Sequence, residues 1–97
     1  MTVTARLNGV EVARSDRTVI VEGNHYFPPD DVRWDLLTPT SRTSVCPWKG
    51  TASYWSVRGG DEVAEDAAWA YPTPKDAAAE IRDHVAFWRG VVVREES

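Results

Sequence analysis

The chain has one cysteine, two lysines and two histidines, and it contains neither a basic block nor an apolar run of the roughly 20 residues that a membrane span requires. Each scarcity excludes something. One thiol closes no disulfide within the chain, and Cys46, His25 and His84 fall short of the four paired Cys or His ligands of a structural zinc site, so no metal and no cofactor is expected. Nine arginines and two lysines are scattered against fifteen acids, for a formal charge of −4, which argues against nucleic acid as a partner. Met1 to Arg6 lack the apolar core of a signal peptide, and the expected location is cytoplasmic, with no membrane partner. No pair of glycines precedes a Lys-Ser or Lys-Thr at P-loop spacing.

What the chain does have is aromatic mass and turn chemistry. Ten aromatics and an apolar fraction of 42% in 97 residues suit one folded domain spanning 1–97, with one small core. Asn8-Gly9 between residues 3–7 and 10–14 predicts a tight hairpin. Thr18 to Val21 reads as a third, well-buried strand completing a meander. Glu22 to Asp31, with Pro28-Pro29, reads as an irregular or edge segment. Pro39-Thr40-Ser41-Arg42 reads as a turn ahead of a strand from Thr43 to Cys46, and Gly59-Gly60 as a hairpin joining Thr51–Arg58 to Asp61–Tyr71. One short helix near 74–83 is expected, with Thr73 as N-cap, Pro74 at the first position, and Ala77, Ala78, Ile81 and Val85 as its apolar stripe. Closing strands follow on either side of Arg89-Gly90. The expected class is mainly β, antiparallel, with a minor helical part.

The densest chemistry lies in Thr43 to Trp55, where Cys46, Trp48, Lys49, Tyr54 and Trp55 surround a Pro/Gly turn. Trp48, Tyr54, Trp69 and Tyr71 can wall an aromatic pocket, with Lys49, Arg33 and His25 as polar contacts. On this reading the partner is a small anionic or planar molecule. Trp55 and Trp69, deep within strands, also suit a tryptophan-rich core. A second reading makes Cys46 a catalytic nucleophile, its thiolate favoured by Lys49 or His25. A third makes exposed Trp48 and Trp34 an interaction patch for a partner or a homodimer.

Cys46-Pro47-Trp48-Lys49-Gly50-Thr51-Ala52-Ser53-Tyr54-Trp55, preceded by Val32-Arg33-Trp34-Asp35-Leu36-Leu37 and followed by Ala67-Ala68-Trp69-Ala70-Tyr71 and Val85-Ala86-Phe87, resembles the bacterial family called domain of unknown function 427. The resemblance covers nearly the whole chain. It implies a compact, mostly antiparallel domain of the β-tent kind with a short helix. Some members carry a nucleotidyltransferase-like label, yet this chain has no Gly-Ser pair followed by paired aspartates, the metal-binding signature of that chemistry. Other β-tent proteins include zinc-bearing reductases, whose zinc cysteines are missing here, and a domain that holds cyclic imides in a tryptophan cage. The cage analogy rests on fold alone.

Overall fold

A computed structural model describes residues 1–96. Three antiparallel sheets organise it. The first has the order β2-β1-β9, from β1 (Thr2–Leu7), β2 (Val10–Ser15) and β9 (Val92–Glu96). The second is the hairpin of β3 (Val19–Val21) and β4 (Asn24–Tyr26). The third runs β5-β6-β7-β8, from β5 (Leu37–Cys46), β6 (Gly50–Gly59), β7 (Glu62–Ala70) and β8 (Val85–Phe87). The mainly β, antiparallel class expected from the sequence is the class observed. No helix among the described residues is long and apolar enough to cross a membrane.

The Asn8-Gly9 hairpin forms as its turn chemistry predicts, with Leu7 paired to Val10 and φ angles of 53° and 75°. Other expectations are corrected. β3 is not a third strand beside β2. It pairs with β4 through a second tight turn at Glu22-Gly23, and Ile20 is exposed rather than well buried. Pro39 to Arg42 is no turn but a bulge within continuous β5, between the pairs Pro39↔Trp55 and Thr43↔Ser53. The second glycine hairpin turns one residue later than expected, since Gly59 itself pairs with Glu62.

The expected helix is a 3₁₀ segment, Asp76–Ile81, preceded by Lys75 with no side-chain cap, so neither Thr73 nor Pro74 plays its predicted part. Six residues are too few to offset α-helical nucleation, and Ala78 departs from helical geometry at φ −121°. The buried pair Ala78 and Ile81 is spaced by three, the period of a 3₁₀ turn. Ala77 is exposed, and Val85 belongs to β8.

Two cores result, one on each face of the four-stranded sheet. The inner face packs Val57, Ala68, Ala70, Val85 and Phe87 against Val3, Ala5, Leu7 and Val12 of the first sheet. Phe27 and Phe87 meet edge to face there, with ring centroids 5.5 Å apart. The outer face carries Ala52, Tyr54, Trp69 and Ala86, covered at one end by Tyr26, Tyr71, Ala78 and Ile81. Both phenylalanines are therefore in the inner core and all three tyrosines in the outer one.

Candidate functional site

The outer face owes its shape to register. Tyr54, Trp69 and Ala86 are cross-strand neighbours on β6, β7 and β8, and side chains two apart along a strand share a face, which brings Ala52 and Tyr71 to the same side. Small alanines set among large rings leave a concavity. The result is a cleft of about 200 Å³ lined by Glu22, Asn24, Tyr26, Lys49, Tyr54, Trp69, Tyr71 and Trp88.

Three local devices complete the cleft. The bridge Phe27↔Val85, closed by amide-to-carbonyl bonds of 2.8 and 2.9 Å, ties the β3–β4 hairpin to the β8 edge, so that Phe27 enters the inner core while Tyr26 turns to the outer face. Tyr26 then accepts a hydrogen bond from the Trp69 indole N–H at 3.2 Å. A bulge in β7 holds Asp66 at φ 52°, where the Thr40 hydroxyl donates to its carboxylate and its backbone carbonyl accepts the Trp88 indole N–H at 2.6 Å. Trp88 is thereby held at the rim, 5.7 Å edge to face from Trp69. Finally, Lys75 clamps the Pro47-Trp48-Lys49 turn: its backbone N–H donates to the Lys49 carbonyl at 2.9 Å and its ammonium to the Pro47 carbonyl at 2.6 Å.

Lys49 is the electrostatic centre. Its side chain is only 6% exposed, unusual for a lysine, and its ammonium pairs with the Glu22 carboxylate. The ammonium also stands 4.6 Å from the Trp48 ring centroid and 5.8 Å from that of Tyr71. Burial works to lower its pKa, but the Glu22 hydrogen bond, together with Tyr71 and Cys46, outweighs burial and raises it, so the lysine stays charged. The same bond, with a smaller part from Trp48, holds Glu22 below the ordinary carboxylate value. Desolvation pushes Tyr71 up to about 12 and also raises Tyr26, so both phenols keep their protons.

Cys46 closes β5 on the cleft side and is half-buried against the outer core. Burial raises its thiol pKa, but the backbone amides of Trp48 and Lys49, joined by the Lys49 side chain, more than offset this and leave it below the ordinary value.

Of the residues singled out from sequence, Lys49, Tyr54, Trp69 and Tyr71 line the cleft, and Trp48 stacks on the lysine from outside it. His25 and Arg33 are not brought there. Alternation along β4 turns His25 away from Tyr26, and its ring meets Thr18 at 2.8 Å and Glu95 at 3.1 Å. Arg33 is tied to β2 by its backbone and to Asp35 by its guanidinium. Trp34 packs on Trp55, away from the cleft lining. Glu22, Asn24, Tyr26 and Trp88 were missed. The pair Glu22-Gly23 between Val19-Ile20-Val21 and Asn24-His25-Tyr26 is a readable hairpin signal, whereas nothing local marks Trp88.

A family profile described as "Domain of unknown function (DUF427)" matches residues 1–97. The chain belongs to the DUF427 family. No curated protein matches it. Within this DUF427 domain, the Cys-Pro-Trp-Lys-Gly turn supplies the buried lysine, and the following Ala-x-Tyr supplies a fully buried alanine of the outer core and one wall of the cleft.

Proposed function

We propose that this DUF427 domain binds a small planar molecule in the outer cleft, with its ring against Tyr54, Trp69 and Tyr71 and its polar edge toward Lys49. One observation carries the reading: all three tyrosines and a nearly fully buried lysine converge on one concavity, while both phenylalanines lie in the inner core. A core built only for stability has no need of that sorting, because a buried ammonium costs desolvation that an apolar side chain avoids. The cleft is smaller than the roughly 300–1,000 Å³ of drug-sized sites, which restricts the ligand to one or two rings.

The test is a thermal-shift screen of aromatic acids, amides and nucleobases against wild type and Trp69→Leu. Stabilisation of wild type by at least one compound, lost in Trp69→Leu, supports the site. Compounds that stabilise both proteins equally bind elsewhere and refute it.

A second reading, catalysis by Cys46, is favoured by a thiol half-buried against the outer core whose pKa is lowered, the Trp48 and Lys49 amides and the Lys49 side chain outweighing burial. Full retention of a discovered activity by Cys46→Ser would remove it.

A further inference from the structure

The two halves of the Lys49–Glu22 pair differ in freedom. Lys49 is 6% exposed, sits in a turn clamped by Lys75, and lies over the Trp48 ring. Glu22 is 55% exposed and hangs from the tip of a hairpin held by three residue pairs. Its φ of 53° lies in the left-handed region, where Asn, Asp or Gly sits with less strain than Glu. The carboxylate can therefore swing into water at little desolvation cost, whereas the ammonium cannot leave.

The cleft's other polar groups lack a matching anion. Tyr71 keeps its O–H, and Tyr26, already accepting from Trp69, is held protonated by burial and retains its own proton to donate. Lys49 adds an ammonium. Glu22 is the one carboxylate among the lining residues, and it is the one that can leave. Aromatic walls with these donors among their lining residues call for a flat ring bearing an anionic, acceptor-rich end.

We propose that Glu22 occupies the place of a ligand carboxylate: the cleft takes an aromatic carboxylate whose acid group displaces Glu22 from Lys49 while its ring packs beside Trp69. Glu22 is then a tethered competitor that sets affinity and favours ligands able to replace an anion. This rests on the reading of the cleft as a ligand site and names the ligand's chemistry.

The experiment titrates benzoate and its neutral isostere benzamide into wild type, Glu22→Gln, Glu22→Asn and Lys49→Met, following tryptophan fluorescence. Glu22→Asn suits the turn's φ and guards against a loosened hairpin. Removing the competing carboxylate is expected to tighten benzoate binding by about two- to sixfold in both Glu22 variants, the range set by a half-exposed ion pair, with benzamide little changed. Lys49→Met is expected to lose benzoate binding. Equal benzoate affinity in wild type and both Glu22 variants overturns the displacement inference, and benzamide binding in that case leaves the cleft reading standing. Absence of any response to either compound in all four proteins counts against both.

Discussion

Lys49 offers a way to separate a side chain kept for folding from one kept for a ligand. Lys49→Met keeps an unbranched stem of similar length and removes the charge, whereas Lys49→Ala also removes three buried methylenes. At about 0.8 kcal/mol per methylene, the alanine variant loses about 2.4 kcal/mol before any penalty for the space left behind. The methionine variant forfeits the ammonium's contact with the Trp48 ring, worth about 0.5–2 kcal/mol, and is relieved of the cost of holding a buried charge. An ion pair whose carboxylate half is largely in water adds little. The methionine variant's net change is therefore within about 1 kcal/mol of wild type. For a domain of this size 1 kcal/mol corresponds to about 4–8 °C, so Lys49→Ala melts about 10–20 °C below wild type and Lys49→Met within about 8 °C of it. Circular dichroism melts, paired with urea titrations showing unchanged m-values, measure both. A methionine variant that falls as far as the alanine variant refutes the reasoning, because the charge would then be a folding element.

Three further outcomes follow from the geometry. Gly59→Ala drives a Cβ into the Leu7 carbonyl oxygen and forces the two large sheets apart, so it destabilises by about 1–3 kcal/mol, whereas an unchanged urea midpoint would contradict the close approach of β1 and β6. Glu11, chiefly through Arg14, and Glu96, chiefly through Arg6, have carboxyl pKa values below the ordinary 4.5; their contribution is full above that value and lost as pH falls through the lower folded values, so stability drops in acid, and Arg6→Met flattens the drop. Acid titrations of the urea midpoint with equal slopes for both proteins would refute this. The Cys46 thiol reacts with iodoacetamide at lower pH than a free thiol, and Lys49→Met moves that profile upward; identical profiles would contradict the role of the ammonium.

The parts of the fold legible in sequence are those decided locally. Asn8-Gly9 specifies its turn by backbone preference alone, and the alternation Tyr54, Trp69, Tyr71 follows from strand period once the Gly59 hairpin is recognised. What was not legible depends on distant pairing. Tyr26 reaches the cleft because Phe27 bridges to Val85, and Trp88 because a bulge at Asp66 offers its carbonyl. Pro39 misleads because proline fits a turn as well as the edge strand it occupies beside a bulge. His25 misleads for the opposite reason: its neighbourhood in sequence is right, but a strand sends adjacent side chains to opposite faces.

The central claim is that ligand binds against Tyr54, Trp69 and Tyr71 beside Lys49. The five tryptophans supply five indole N–H signals in a proton–nitrogen correlation spectrum, spread across the molecule. Titration with a compound that stabilises the protein is expected to shift the signals of Trp69 and Trp88, which line the cleft, while those of Trp34 and Trp55, in edge-to-face contact elsewhere, stay in place. Shifts confined to Trp34 and Trp55, with Trp69 and Trp88 unmoved, would contradict it.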